Sequence, residues 1–148
     1  SPAAQVCIET EQELAALGTD SRRVVNFRTG TIYGPGREHR NELRHIAGKQ
    51  IPFDGKSDAM LIHRDDVVRA IAFAIDKQLS GLFNLFNDIP ENKEDFFAKV
   101  AKREGLEPVT WLGVVKGPKA VSNARIKGTG FAFADPVGAR EGDDLLAR

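Results

Sequence analysis

The stretch VVNFRTGTIYGPGR, residues 24–37, decides the fold class of this chain. It begins as an apolar run that stops at Arg28 and opens into a loop with three glycines and one proline. An apolar run of this length that is bounded by Gly and Pro predicts a buried strand. Because α/β proteins bind ligands at the carboxyl ends of their strands, the loop is a candidate site or half of one.

On either side of this stretch, helical and strand patterns alternate. Before it, residues at helical spacing from Cys7 to Leu17 predict a helix that Gly18 ends. After it, the pattern predicts a helix over residues 38–47 and a strand over 59–62. A helix whose first turn holds Asp65 and Asp66 follows, then a strand over 81–87 and a helix capped by Asn92. Three or four strands separated by helices predict an α/β fold with at least partly parallel pairing.

Helical periodicity also predicts which side chains belong to the core. In the helix that begins at Asp65 and Asp66, the apolar face consists of Val67, Ile71 and Ile75, with Val68 and Ala72 beside them. In the helix after Asn92, the predicted buried side consists of Phe96, Phe97, Val100 and Ala101. Asp65 and Asp66 stand in a first turn, where the positive end of the helix dipole stabilises carboxylates.

The composition excludes several classes of function. Lys and Arg number 21 and Asp and Glu number 21, so we expect no bulk attraction to nucleic acid or to an anionic membrane. The single cysteine, Cys7, excludes an intramolecular disulfide framework and fits a cytoplasmic or other reducing, soluble compartment. No apolar stretch approaches the roughly 18 residues of a membrane span, and the first residues carry acids where a signal peptide carries bases.

The residues do not form a dinucleotide-binding loop. Gly30, Gly34 and Gly36 have the wrong spacing for G-x-G-x-x-G, and Gly128-Thr129-Gly130 lacks the third glycine. If a nicotinamide cofactor binds, its phosphates are not held by a glycine-rich loop of this chain.

Several conspicuous side chains have an ordinary structural explanation. Tyr33 is a core or turn residue as readily as a ligand contact, and His63 before two aspartates fits the cap of a helix. His39 and His45 do not share a helix face, and no thiol or carboxylate joins them, so no metal site is predicted.

Four segments follow one another as they do in a known family: RTGTIYGPGR (28–37), LIHRDDVVRAI (61–71), GLFNLFNDIP (81–90) and KAVSNARIKGTGFAF (119–133). In this order they resemble the carboxyl-terminal half of the extended short-chain dehydrogenases/reductases, the NAD(P)-dependent sugar epimerase/dehydratase family. The resemblance implies a partial Rossmann-like doubly wound sheet with a small substrate-binding lobe over residues 1–133. Residues 134–148 are expected to be a flexible tail.

The resemblance also assigns expected roles to the loop. It implies that Thr29, Gly30 and Ile32 lie against NAD or NADP. It implies that Thr31, Tyr33 and Arg37 face a small-molecule substrate such as a sugar or sugar nucleotide. The strand that ends at Arg28 would be the sixth of the family's sheet, and the loop would form the substrate-side wall of the nicotinamide pocket.

The sequence departs from the family in three places. The glycine-rich loop and the catalytic Ser/Thr are absent, and Ala3 and Cys7 stand at the positions of the catalytic Tyr and Lys. Neither residue can supply the base and the cation that hydride transfer from a sugar hydroxyl requires, so no catalytic residue is assigned. Ala59, Met60 and Leu61 stand where many relatives carry an Arg for the nucleotide diphosphate, which counts against a nucleotide-sugar substrate.

Three functions therefore stay open at this point. The first is a fragment or truncated form of an NAD(P)-dependent epimerase/dehydratase-like oxidoreductase, inactive or weakly cofactor-binding by itself. The second is a non-catalytic, degenerate relative that acts as a binding or assembly module. The third is a plain small-molecule binding domain that shares only the architecture. In each case, the strand over residues 23–28 is expected to leave an exposed sheet edge. Through this edge the chain self-associates, or the strand stays partly disordered, unless a partner supplies the rest of the sheet.

Overall fold

A computed structural model describes residues 2–34, 40–113 and 121–134. The helices are α1 (Pro2–Ala16), α2 (Arg40–Arg44), α3 (Arg64–Asp76), α4 (Lys93–Glu104) and α5 (Ala124–Lys127). The strands are β1 (Val25–Thr29), β2 (Thr31–Tyr33), β3 (Gln50–Ile51), β4 (Leu61–His63), β5 (Gly81–Leu85) and β6 (Thr110–Trp111). No helix in these ranges is both long enough and apolar enough to cross a bilayer.

The strands form three parallel pairs, β1 with β5, β2 with β4, and β3 with β6. In the first pair Val25 lies opposite Gly81, and in the second Thr31 lies opposite Leu61. Backbone bonds connect these two pairs, because the Asn87 N–H, just beyond β5, donates to the Leu61 carbonyl at 2.8 Å. Parallel pairs joined through intervening helices confirm the predicted α/β class.

Helices cover both faces of β1. On one face, Asn26 and Arg28 bond to Glu11 of α1. On the opposite face, Val25 and Phe27 pack against the buried cluster that includes residues of α3, β5 and α5. Because successive side chains of a strand point to opposite faces, this arrangement is that of a sheet wound on both sides.

The core consists of two clusters of buried side chains. The first lies around β2, β4, α2 and α4 and comprises Tyr33, Leu43, Ala59, Leu61, Phe96, Val100 and Ala101. The second lies around β1, β4, β5, α3 and α5 and comprises Ile62, Ala70, Phe83, Leu85, Ile126 and Phe131. The predicted buried side of α4 is thus confirmed at three positions, while Phe97 is partly buried against the same cluster.

Helices α3 and α4 begin at side-chain caps. The Asp95 N–H donates to Asn92 Oδ1 at 2.8 Å, and Asn92 Nδ2 donates back to the Asp95 carboxylate at 2.7 Å. In α3 the cap is His63, whose Nδ1 accepts from the Asp65 N–H at 3.2 Å. The capping role predicted for both residues is confirmed.

The predicted core face of α3 is confirmed at Val67, which packs against the second cluster, and is wrong at the other positions. The helix buries Asp66, Ala70 and Ala74, whereas Ile71 and Ile75 are exposed. The apolar residues of α3 do recur at helical spacing, but none of the described residues covers the face that carries Ile71 and Ile75. The contacts with the sheet are made instead by the small residues Ala70 and Ala74.

Other differences concern short elements. Three short strands are not predicted from the sequence. Strand β3 lies within residues 48–58, where the sequence predicts a loop, β2 follows β1 directly, and β6 is formed by Thr110–Trp111. Strands of two or three residues show too few alternations to be recognised in sequence. The helix expected over 38–47 is limited to Arg40–Arg44 among the described residues.

Candidate functional site

The candidate loop begins where β1 passes into β2 at Gly30. The Gly30 N–H donates to the Leu85 carbonyl at 3.0 Å, and the Thr31 N–H donates to the Met60 carbonyl at 2.7 Å. A Cβ on Gly30 would lie 1.8 Å from the Met60 carbonyl oxygen, so only glycine fits this crossing of two backbones. Met60 itself has a φ of 46°, an unusual conformation for a residue with a side chain.

The predicted contact residues differ in their accessibility. Thr29 is exposed at the carboxyl end of β1, while Gly30, Thr31 and Ile32 are half-buried. Ile32 packs against the cluster that contains Ile62, and Tyr33 is only 1% exposed within the other cluster. The predicted ligand contacts of all five residues stay predictions, and Arg37 lies outside the described residues.

Tyr33 packs against the cap of α3. Its ring meets the His63 ring edge-on, with 5.2 Å between centroids, and the two residues are opposite each other in the β2–β4 register. Of the two ring nitrogens of His63, Nδ1 accepts the hydrogen bond of the cap and Nε2 lies toward Gly34. A Cβ on Gly34 would lie 2.6 Å from that Nε2, so the backbone passes close to the ring.

A second concave region lies beyond the end of β5, with a volume of about 380 Å³. Asn87, Asp88, Lys127 and the segment Phe131–Ala134 line it. Lys127 Nζ lies 2.8 Å from the Asp88 carboxylate, and this hydrogen bond, followed by one from Asn123, lowers the pKa of Asp88. An ionised carboxylate paired with an ammonium group leaves little net charge in this cleft.

Asn87 carries a buried donor next to that cleft. Its Oδ1 accepts from the Ile89 N–H at 3.1 Å, and its Nδ2 has no acceptor among the described residues. An unpaired buried amide donor is costly, because burial removes its bonds to water. Asn87 therefore offers a donor near the carboxyl end of β5.

One ion pair holds the segment that closes the cleft. Asp66 is 1% exposed, and its carboxylate accepts from Arg69 Nη1 at 2.6 Å and from the Ala134 N–H at 3.1 Å. Arg69 Nη2 also donates to the Ala132 carbonyl at 3.0 Å, and its guanidinium stacks over the Phe131 ring. Residue 134, the first of the expected flexible tail, is thus anchored; residues 135–148 lie outside the described residues.

The structure shows where the residues that depart from the family pattern lie. Ala59 and Leu61 are buried in the core cluster, so that the place expected for a diphosphate-binding Arg contains apolar side chains. Ala3 and Cys7 are both exposed on α1, a helix without any buried residue. No group of three or more potential metal ligands occurs in the part of the chain that the structure describes.

Sequence patterns do not reveal the groups around the cleft. The sequence explains Asp66 only by its favourable position in the first turn of α3. Its hydrogen bond with the Ala134 N–H could not be predicted, because the two residues are far apart in sequence. Asn87, Asp88 and Lys127 belong to no motif with a fixed spacing. The segments of resemblance over 81–90 and 119–133 are the signals that this region is part of the same fold.

Comparison with known proteins gives one related sequence and several related structures. No protein-family model matches the chain. A 3-diazoavenalumate denitrifying reductase from Streptomyces is 30% identical over 122 residues, which are 79% of this chain and 40% of the reductase. The chain therefore spans less than half the length of this curated relative.

Solved structures share the fold at low sequence identity. The human epimerase family protein SDR39U1, solved with NADPH, has a TM-score of 0.63 at 18% identity, over 95% of this chain and 51% of its own. MoeE5 in complex with UDP-glucuronic acid and NAD has a TM-score of 0.56 at 23% identity, over 85% of this chain and 46% of its own.

The UDP-glucose 4-epimerase of Thermus thermophilus, solved with NAD, has a TM-score of 0.54 at 19% identity, over 98% of this chain and 50% of its own. These likenesses confirm a Rossmann-type α/β fold, and the reductase match supports the same relationship in sequence. Over about half of the length of each of these three proteins, the chain shares their fold.

Proposed function

We propose that this chain is the substrate-side part of an NAD(P)-dependent epimerase/dehydratase-like oxidoreductase that acts on a sugar or sugar nucleotide. The observation that carries the proposal is the 30% identity to a reductase over 122 residues, within a fold shared with NAD- and NADPH-bound proteins. The phosphate-binding loop would be supplied from outside this chain, and the catalytic Tyr and Lys are absent from it. Residues 1–133 would form the working unit.

The loop from Thr29 to Tyr33 would form one wall of the nicotinamide pocket. Thr29 offers an exposed hydroxyl at the end of β1, and Gly30 has no side chain to obstruct a flat ring. These features fit the nicotinamide end of the cofactor. The residues do not fit its phosphates, because none of the described glycines forms a phosphate loop that opens a helix.

Substrate handling is assigned to Thr31, with Tyr33 and Arg37 as further contacts. Thr31 is half-buried at the point where β1 gives way to β2, so its hydroxyl could reach a ligand only from one side. The UDP-sugars in the MoeE5 structures make a sugar nucleotide a reasonable substrate class. The apolar Ala59 and Leu61 would then leave the diphosphate without an Arg from that position.

The test is an amide NMR titration of the 148-residue chain. Nicotinamide mononucleotide at millimolar concentration is expected to shift the amide signals of Thr29, Gly30 and Thr31, whereas ADP, which carries only the other half of NAD, is expected to shift nothing. Whole NAD(H) or NADP(H) should bind more weakly than micromolar, because the phosphate grip is missing. Micromolar binding would require a different phosphate site, and no shift at Thr29 or Gly30 would refute the cofactor wall.

A variant separates the two roles. Thr31→Val keeps the shape of the side chain and removes its hydroxyl. It is expected to abolish shifts caused by UDP-glucose and to leave those caused by nicotinamide mononucleotide unchanged. The reverse pattern would assign Thr31 to the cofactor.

A second function has support from α1. Exposed Ala3 and Cys7 at the positions of the catalytic pair are what a non-catalytic relative, kept as a binding or assembly module, would carry. A chain that binds UDP-glucose but leaves nicotinamide mononucleotide unbound would favour that alternative.

A further inference from the structure

The loop from Thr29 to Tyr33 is joined to the residue before β4 by a hydrogen bond between two backbones. The Thr31 N–H donates to the Met60 carbonyl at 2.7 Å. The Thr31 hydroxyl has no hydrogen-bond partner in the part of the chain that the structure describes, so this side chain does not fix its own position. The orientation of Thr31 therefore depends on where the Met60 carbonyl points.

Met60 has a backbone conformation that its own side chain disfavours. Its φ is 46°, in the left-handed region, where the Cβ of an L-residue crowds the carbonyl that follows it. Among the non-glycine residues that the structure describes, only Met60 and Gln78 have a positive φ. Rotation of Met60 to an ordinary negative φ would turn its carbonyl to a new direction and weaken the bond to Thr31.

Asp58 stabilises this conformation. Its carboxylate accepts from the Met60 N–H at 2.8 Å, two residues further along the chain, which is the geometry of an Asx turn. The turn is attached to the segment that leads into α4, because the Ala59 N–H donates to the Glu91 carbonyl at 2.8 Å and Asp58 forms a β-bridge with Asn92. Asp58 thus connects a fixed helix end to Met60.

The backbone on the other side of this contact leaves little freedom. Gly30 passes so close to Met60 that a Cβ on it would lie 1.8 Å from the Met60 carbonyl oxygen. Any change in the direction of that carbonyl therefore alters its packing against Gly30 as well as its bond to Thr31.

We propose that Asp58 is a positioning residue for the loop: its carboxylate keeps Met60 in the left-handed conformation, and the Met60 carbonyl in turn orients Thr31. Asp58 acts through Met60 and does not itself touch the ligand. A loop that is ordered beforehand strengthens binding, because the ligand does not have to order it. The identity of the ligand rests on the proposed function, whereas the chain of hydrogen bonds from Asp58 to Thr31 does not.

Hydrogen exchange of the Thr31 amide in the 148-residue chain measures the effect on the loop. Asp58→Ala is expected to speed this exchange at least about fivefold, the ratio that corresponds to the cost of a left-handed L-residue. Asp58→Asn keeps an oxygen that can accept from the Met60 N–H, so it should exchange like the wild type. Adding Met60→Gly to Asp58→Ala should restore slow exchange, because glycine adopts a positive φ without a Cβ clash.

Asp54→Ala is the matched control. The Asp54 carboxylate accepts from the Lys56 N–H at 2.8 Å in a turn of the same kind, and Lys56 is not among the described residues with a positive φ. This variant should leave the exchange of the Thr31 amide unchanged. If Asp54→Ala speeds the exchange as much as Asp58→Ala does, or if Met60→Gly restores nothing, the positioning role of Asp58 is overturned.

An NMR titration with UDP-glucose separates this inference from the proposed function. The dissociation constant should rise at least about threefold in Asp58→Ala, because fewer molecules have the competent loop, and it should return toward the wild-type value in the double variant. If UDP-glucose does not shift the Thr31 signal of the wild type, the substrate assignment of Thr31 is refuted, and the exchange rates still decide whether Asp58 positions the loop. An equal dissociation constant in the wild type and in Asp58→Ala overturns the inference and leaves the proposed function intact.

Discussion

Replacing Gly30 by alanine places a methyl group where two backbones cross. The new Cβ would lie 1.8 Å from the Met60 carbonyl oxygen, 2.8 Å from its carbonyl carbon and 3.0 Å from Phe86 Cβ. Two of these three atoms are backbone, so no side-chain rotation relieves the contact. The segment containing Met60 must move away by more than about 1 Å before the contact becomes an ordinary one.

The free-energy cost of this movement can be estimated from the contacts that it breaks. It breaks the 2.7 Å bond from the Thr31 N–H to the Met60 carbonyl, with a net value of about 1 kcal/mol. Overpacking of a well-packed site adds about 1–3 kcal/mol. The lower entropy of the unfolded alanine chain offsets less than about 1 kcal/mol. We therefore expect Gly30→Ala to lower the free energy of unfolding by about 1–4 kcal/mol.

Urea denaturation followed by circular dichroism measures this change. Gly105→Ala is the matched control: Gly105 has a φ of 64° and no atom within 4 Å of the added Cβ, so only conformational strain of about 1 kcal/mol applies. If the two variants lost the same free energy of unfolding, the backbone at Gly30 would accommodate the methyl group at little cost, and the steric explanation would be wrong.

Three further substitutions test the contacts described above. Asp66→Asn should lower the free energy of unfolding, measured by urea denaturation, by about 2 kcal/mol. This is less than for a fully buried ion pair, because Arg69 is half exposed. A loss below about 0.5 kcal/mol would show that the ion pair does not contribute to stability. Lys127→Met should raise the pKa of Asp88 toward the ordinary value of an aspartate. The stabilisation that is present at neutral pH and lost on acidification through this pKa should shrink, and the hydrogen bond from Asn123 should preserve the rest; carboxyl NMR titration measures the pKa, and an unchanged value would contradict the assignment. Asn92→Ala should destabilise by about 1 kcal/mol in thermal unfolding, and Asn92→Ser, which keeps an oxygen to accept from the Asp95 N–H, should cost less; equal losses would show that the α4 cap contributes nothing.

The sequence predicted those elements whose signals are local. The cap of α4 needs only Asn92 and Asp95, three residues apart, and β5 is an apolar run closed by loop residues. Helix α1 has the expected spacing and end. In each case, the residues that determine the element lie within it or next to it.

The failures have a common physical origin. The exposed face of α3 could not be foreseen, because periodicity shows that Val67, Ile71 and Ile75 share a face but not what lies opposite. The sequence left open whether Tyr33 is a core residue, because its burial involves His63, which is thirty positions away in sequence and adjacent only across β2 and β4. The cleft beside Asn87 likewise depends on a segment beyond residue 130. Long-range packing, rather than local preference, decided these points.

The parallel strand pairs also determine how the chain can fold. Each pair joins strands that are far apart in sequence: Val25 pairs with Gly81, and Gln50 pairs with Thr110. Closing such long loops costs entropy before any contact offsets it, so contact order is high and the search for the native state is slow. Helix α3, with its own cap, can form in microseconds, long before β1 finds β5. During that interval β1 lacks its β5 partner, so we expect the refolding yield to fall as the protein concentration rises.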